Sequence, residues 1–344
     1  MGMLVPVVSS SERPVVSVIV PARNEEACLG ACLESLVAQT EVSFEIIVVD
    51  DGSTDQTQSI AESFSGVTVI EPGPLPSGWT GKNNAVTAGA KSARGEWLLF
   101  TDADTVHKPG SLARAIAEAK QYQADLLSYS PEQEVHGFWE RAVMPVIFAE
   151  LARKYPPSKI SDFSTNMAAA NGQYLLMRRS TYDAIGGHAA VASSLLEDVA
   201  LARLVRGNGH RIRFRYGGDA VRTRMYRSFR QLREGWTKNL NLLFPGSIGL
   251  AFVRALEFLL VAACLGVLAI AVVTGEWRHA VVFLVVPILT VMRIATAHFS
   301  WESNLLGILG LPMFSYLLVR STLSYKQKKI TWKGRTYPSG AVGA

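Results

Sequence analysis

The residues in this chain best suited to chemistry are acids that close apolar runs. Asp102-Ala103-Asp104 ends the run Trp97-Leu98-Leu99-Phe100-Thr101, and Val48-Val49-Asp50-Asp51-Gly52-Ser53 ends in the same way earlier in the chain. Carboxylates two residues apart at a strand end can share a hard divalent cation, which in turn can hold a diphosphate. A third acidic pair, Glu197-Asp198, opens a stretch with helical spacing. One carboxylate there can take a proton from an attacking hydroxyl. The plainer reading of that pair is two helix-start acids favoured by the helix dipole. Lys82 follows the loop Ser77-Gly78-Trp79-Thr80-Gly81 and sits where a helix begins, a place suited to a phosphate. The glycine spacing is not that of a P-loop. Taken together, these residues predict a metal-dependent enzyme acting on a nucleotide-activated substrate.

Such residues need strands and helices to hold them. Residues 15–21 and 44–49 are β-branched runs that read as strands, as do 67–70 and 97–100. Between the first two, Leu29, Cys32, Leu33, Leu36 and Val37 recur at helical spacing. Ser53-Thr54-Asp55 starts the next helix, 82–92 and 111–122 are two more, and 125–129 and 173–178 read as further strands. Strands alternating with helices predict an α/β fold with a mostly parallel sheet covered on both faces. In such sheets ligands bind beyond the strand ends, which is where the acids lie. Asp51-Gly52-Ser53-Thr54-Asp55 also fits a simple turn and helix cap.

The chain has 344 residues and a net charge of +5, enough for one large domain and an appendage. The positive excess is concentrated in residues 203–238, just before a long apolar third. That placement suits anionic headgroups or a diphosphate. From 250 to 319 only Arg254, Glu257, Glu276, Arg278, Arg293 and Glu302 carry charge. Three apolar stretches, 251–273, 280–297 and 304–319, follow one another there. A span takes about 20 residues, so the first qualifies. Positive-inside bias on the basic tail asks for an even number of crossings, which predicts that 304–319 lies in the interface. Residues 137–155 mix aromatic and charged residues and read as an interfacial helix or as one packed on the sheet. The three cysteines, Cys28, Cys32 and Cys264, are expected to be reduced thiols. With no apolar leader in 1–13, the catalytic part is expected in the cytoplasm. The expected division is an N-terminal segment 1–14, a catalytic domain 15–240, membrane helices 241–323 and a basic tail 324–344.

Pro21-Ala22-Arg23-Asn24-Glu25, Val49-Asp50-Asp51-Gly52-Ser53-Thr54-Asp55, Asp102-Ala103-Asp104 and Glu197-Asp198 occur in that order. The set resembles the family 2 glycosyltransferases of the GT-A fold, over residues 15–239. Arg230-Gln231-Leu232-Arg233-Glu234-Gly235-Trp236, the apolar C-terminal third and Trp332-Lys333-Gly334-Arg335 resemble the membrane-anchored, lipid-modifying branch. That branch includes ceramide glucosyltransferase-like, hopanoid-associated and carotenoid glycosyltransferases. The resemblance implies that Pro21, Ala22, Asn24, Glu25, Asp51 and Gly52 hold the nucleotide, with Lys82 and Asp102 also on the donor. It places Mg²⁺ or Mn²⁺ at Asp102 and Asp104. Asp198 becomes the base with Glu197 in support, and Gly172 and Gln173 line the sugar and acceptor site. Arg233 and Trp236 would meet diphosphate and acceptor, although Trp236 is displaced from the Gln-x-x-Arg-Trp pattern of processive relatives.

The implied reaction is inverting transfer of one sugar from a nucleotide-sugar, a UDP-sugar first, to a lipid. The implied place is a cytoplasmic membrane crossed more than once, with the catalytic domain in the cytoplasm and anionic lipids beside it. Nucleic acid is not an implied partner. The alternatives are a polyprenyl-phosphate sugar transferase, a processive polysaccharide synthase and a nucleotide-sugar-binding membrane scaffold.

Overall fold

A computed structural model describes residues 13–276, 281–327, 330–332 and 335–337. Residues 1–12 of the N-terminal segment, and Lys328, Lys329 and Lys333 of the tail, lie outside the described residues. The chain forms two compact units, divided after Glu134 and again after Arg224, with Val135–Pro156 belonging to the second.

In the first unit the strands β1 (Val16–Ala22), β2 (Phe44–Asp50), β3 (Val67–Ile70), β4 (Trp97–Phe100), β6 (Leu126–Ser130), β8 (Leu175–Arg178) and β9 (Ile212–Tyr216) make one sheet in the order β3-β2-β1-β4-β8-β6-β9. β1 pairs in parallel with β2 and β4, β2 with β3, and β6 with β9. Only β8 runs against its neighbours. The inner strands read as unbroken apolar runs because helices cover both faces. Val16, Val18, Ile19, Val20, Val48, Val49, Leu98 and Leu99 are fully buried, each contributing roughly 1.5–3 kcal/mol. The fold is therefore the mostly parallel α/β sheet expected.

β1 lies between β2 and β4, so the chain reverses its direction of growth there. Register places Ala22 beside Asp50 and Ile19 beside Phe100, so the three strands end along one edge. This is the switch point at which open α/β sheets bind ligands. Helices α1 (Leu29–Val37), α2 (Thr57–Glu62), α3 (Gly81–Ser92), α4 (Ser111–Gln121), α7 (Arg179–Ala184) and α8 (Glu197–Gly207) connect the strands. A second, three-stranded sheet of β5 (Thr105–His107), β10 (Val221–Thr223) and β7 (Glu132–Gln133), in the order β5-β10-β7, does not show in the hydrophobic pattern.

The second unit is helical. It contains α5 (Phe138–Lys154), α9 (Phe229–Leu243), α10 (Ser247–Thr274), α11 (Val285–Ala295) and α12 (Trp301–Lys326). α12 packs on α5, α9 and α10. It crosses α5 closely: a Cβ on Gly310 would run into the Ala142 carbonyl oxygen. Residues 137–155 thus hold a helix packed among the helices of the second unit. Two helices, Ser247–Thr274 and Trp301–Lys326, are long and apolar enough to cross a membrane. The length argument for laying 304–319 in the interface fails, because that helix has 26 residues. The short apolar helix is α11, with 11 residues.

Candidate active site

The loops after β1 and β2 are tied together. Asn24, in a left-handed conformation, accepts a hydrogen bond at Oδ1 from Thr54 N–H at 2.8 Å, and its own N–H donates to Ser53 Oγ at 3.0 Å. Glu25 N–H donates to Thr57 Oγ1 at 2.8 Å. Asp51 N–H donates to the Ala22 carbonyl at 2.9 Å, and the Arg23 guanidinium donates to the Asp51 carbonyl at 2.5 Å. Gly52 takes φ +67°, which a side-chain residue adopts only at a cost. Asp50 is buried and takes both bonds from Ser53, so it caps the turn. Asp51 is half-buried beside it. These bonds make the turn expected of this segment and form a ledge beside the ends of β1 and β2, while the expected helix cap is not made, since α2 starts at Thr57 after Gln56 with no side-chain cap.

Across β1 the chemistry converges. Pro21, Lys82, Val86, Phe100, Thr101, Asp102, Gly172, Leu175, His188, Glu197 and Asp198 line one pocket. α3 delivers Lys82. Thr80 caps this helix by accepting from Asn83 N–H. The buried Asn83 amide donates to the carbonyls of Val191, Ala192 and Ser194. Lys82 Nζ lies 2.7 Å from Asp102 Oδ1 and 2.7 Å from Glu197 Oε1, with 37% of its side chain exposed. Burial opposes its charge, but Asp102 and Glu197 together hold it well above the ordinary lysine value.

Asp198 Oδ2 accepts the Gly172 N–H at 2.9 Å, and Oδ1 accepts the Val199 N–H at 2.8 Å. Burial first, then the neighbouring Glu197, pushes its carboxyl up to about 6, while Lys82 and the two backbone donors pull it down. Gly172 is small for a reason: a Cβ there would lie 3.3 Å from Lys82 Nζ and 3.4 Å from Glu197 Oε1. Any larger residue narrows the pocket between the ammonium and the base.

Other predicted site residues support the site from outside this pocket. Gln173 is buried. Its carbonyl accepts from Thr101 Oγ1 at 2.8 Å, and its amide reaches Thr223 Oγ1 at 3.4 Å. Thr101 also meets Thr105 and the buried His107, whose imidazole burial pushes down to about 3. This network fixes the turn carrying Asp102 and Asp104, and Thr223 Oγ1 donates to the Asp104 carbonyl at 3.1 Å. In the second unit, Arg233 is half-buried on α9. Trp236 is only 2% exposed, with Nε1 3.3 Å from Met144 Sδ. The indole therefore packs inside the helical unit. The cysteines are free thiols, as expected.

Residues 17–186 match the family model described as glycosyl transferase family 2. The chain carries a glycosyl transferase family 2 domain. It is 29% identical to the 4,4'-diaponeurosporenoate glycosyltransferase of Staphylococcus aureus strain MRSA252, over 93% of this chain and 88% of that one. It is 31% identical to the enzyme of the same name from strain USA300, over 65% of this chain and 60% of that one. Among solved structures, a mannosyltransferase from Pyrobaculum calidifontis, determined with GDP-mannose and Mn²⁺, superposes with a TM-score of 0.53 at 18% identity. The superposition covers 91% of this chain and 87% of that one, and it shows a shared fold.

The sequence reading missed His188, Thr101 and the apolar lining residues Val86, Phe100 and Leu175. The one available signal was Gly186-Gly187, both at positive φ, which turns the chain just before His188.

Proposed function

We propose that this glycosyltransferase moves one sugar from a nucleotide-sugar to the polar end of an apolar lipid at a membrane, with inversion at the anomeric carbon. The observation that carries the chemistry is the convergence of Lys82, Asp102, Glu197 and Asp198 on one pocket. The acceptor oxygen attacks the anomeric carbon from the face opposite the diphosphate. The new carbon–oxygen bond forms as the bond to the phosphate oxygen breaks, and that electron pair leaves with the nucleoside diphosphate. A hydroxyl acceptor gives its proton to the Asp198 carboxylate, whose value near 6 suits a base working close to neutrality, whereas a carboxyl acceptor is already ionised there and needs no base. The Gly172 and Val199 N–H groups hold that carboxylate in place. Lys82, at the start of α3, adds positive charge where a diphosphate gains most from a helix N-terminus. Asp51 and Gly52 face the base and ribose.

Asp102 and Asp104 fit a hard cation. They supply carboxylate oxygens, and among the described residues no group of three or more His, Cys, Asp and Glu is arranged to hold a metal ion by itself. Mg²⁺ is held in this manner, by one or two carboxylates with phosphate and water completing the shell. Mg²⁺ or Mn²⁺ held by these two residues supplies neutralisation of the charge on the departing diphosphate.

The acceptor class follows from the relative from strain MRSA252, matched over nearly the whole chain, whose name describes transfer to a carotenoid acid. We infer a long apolar acceptor ending in a carboxyl or hydroxyl group, and a UDP-sugar donor. The test incubates the full-length protein in lipid nanodiscs with radiolabelled UDP- and GDP-sugars. A polyene carboxylic acid, its primary alcohol and a polyprenyl phosphate are offered as acceptors. Label in a glycosyl ester or ether of the polyene is expected. Label only in the polyprenyl phosphate, or in a polymer, overturns this reading.

A further inference from the structure

His188 is 2% exposed, yet its ring borders the active pocket. It is built in with care. The Tyr182 hydroxyl lies 3.0 Å from Nδ1, and the His188 backbone N–H donates to the same Tyr182 oxygen at 3.1 Å. We assign the hydroxyl proton to Nδ1, with the backbone N–H on one acceptor position of the oxygen, which places the ring proton on Nε2. Phe100 meets the imidazole edge to face, with ring centroids 4.7 Å apart, and tilts against Tyr182 at 5.3 Å. Gly187 leaves the room this requires: a Cβ there would lie 2.5 Å from the Tyr182 ring. With Nδ1 at Tyr182 and the rings of Phe100 and Tyr182 against the imidazole, Nε2 is the remaining polar atom of this pocket-lining side chain, and no described residue bonds it.

The chemistry of the pocket says what Nε2 meets. Lys82 is the cationic partner for an anionic group, and Asp198 takes the proton of a hydroxyl acceptor. Asp102, Glu197 and Thr101 are the other polar lining residues, and Pro21, Val86, Phe100 and Leu175 are apolar. Burial keeps the imidazole neutral, down at about 4, with Glu197 opposing that shift and Lys82 adding to it. A neutral N–H suits a neutral oxygen, and the transferred sugar, whose anomeric carbon must lie near Asp198 in this same pocket, carries several hydroxyls. We propose that His188 is a specificity-determining residue, its Nε2–H donating to one hydroxyl of the transferred sugar. Tyr182 is its positioning residue. The inference rests on the nucleotide-sugar reading above and deepens it.

The experiment uses the full-length protein in nanodiscs. UDP-glucose, UDP-galactose, UDP-N-acetylglucosamine and GDP-mannose are compared, and the best donor is carried forward with its single-deoxy analogues. Wild type should lose about tenfold or more in kcat/KM with one analogue, the worth of a single neutral hydrogen bond. His188→Asn keeps a partner for Tyr182 but cannot reach the Nε2 position. It should show the tenfold loss with the parent donor and none beyond it with that analogue. His188→Gln, whose amide reaches the Nε2 position, should restore most of the discrimination. Nucleoside diphosphate affinity and the melting temperature of each variant should match wild type. If His188→Asn discriminates among the analogues as wild type does, or loses diphosphate affinity in step with sugar recognition, the assignment is wrong. Absence of binding or turnover with all four donors overturns the nucleotide-sugar reading itself, and this inference with it.

Discussion

A carboxylate is a base only while ionised, so Asp198 sets the acid side of the pH profile. With its carboxyl near 6, turnover with an alcohol acceptor should fall with unit slope as pH drops through about 6 and level off above it. Lys82 lowers the Asp198 value, so Lys82→Met should move that limb to higher pH. Asp198→Asn should cut turnover with the alcohol acceptor by about 10²-fold or more, the worth of general base catalysis. Donor affinity, read by titration calorimetry, should hold. An Asn variant as fast as wild type would remove Asp198 from the mechanism. The metal reading makes a separate prediction: Asp104→Asn should abolish turnover without shifting the melting temperature, and excess EDTA should silence the wild type. Sequence exposed the acids because charged residues closing apolar runs break a pattern. It did not expose His188, because a single buried imidazole among apolar residues follows no spacing rule and gains its partner, Tyr182, only through the turn at Gly186-Gly187.

The elements matter through how exactly they set these side chains, and α3 is the clearest case. It lies so close on the sheet that a Cβ at Gly89 would come within 2.5 Å of Ile19 Cγ2 and 3.0 Å of Val49 Cγ2. Both side chains belong to the central strands, which have no room to yield. Gly89→Val should therefore destabilise the protein by about 1–3 kcal/mol, the usual cost of overpacking. Lifting the helix should also move Lys82 away from Asp102 and Glu197, lowering activity beyond what stability explains. Chemical denaturation together with kinetics on the folded fraction checks both. The parallel strands were readable because β1, β2 and β4 are nearly continuous apolar runs, interrupted inside only by Ser17 and Glu45. β5, β7 and β10, two or three residues each, carry too few side chains to show a period. Yet they place Thr105, His107 and Thr223 under the Asp102-Ala103-Asp104 turn. The first turn of α2 was read too early, because Ser53 and Asp55 spend their side chains on the loops, with Asp55 accepting from Glu26 and Thr57.

At the scale of the whole molecule, the apolar C-terminal third asks for a solvent other than water. On α10, Phe252, Leu256, Leu259, Ile270 and Val273 are exposed, Val273 by 87%, a larger apolar surface than soluble proteins leave bare. Among these helices sits a set of charges: Glu150 is fully buried and pairs with Arg153, Arg254 and Arg293, and Arg293 also reaches Glu257. Within an apolar helical unit, charge persists when paired. Glu150→Ala, which leaves Glu257, among the described residues, as the one remaining acid for Arg254 and Arg293, should destabilise the protein by up to about 3–5 kcal/mol. Composition located this third, but it could not tell which stretch was short, since helix ends depend on caps rather than on hydropathy. α11, with 11 residues, reaches about 16 Å at 1.5 Å per residue, half of the ~30 Å that a hydrocarbon core requires. α10 and α12, with 28 and 26 residues, are long enough. Two crossings would bring the chain back to the side from which it entered, in keeping with the positive-inside tendency of the basic tail. The topology prediction is that Thr274 faces outside and Gln327 faces the cytoplasm. In a background with Cys28, Cys32 and Cys264 replaced, Thr274→Cys should react with an impermeant maleimide on intact cells. Gln327→Cys should react only after the membrane is opened. Labelling of Gln327→Cys on intact cells would mean an odd number of crossings, with α11 or its flanks spanning the bilayer as well.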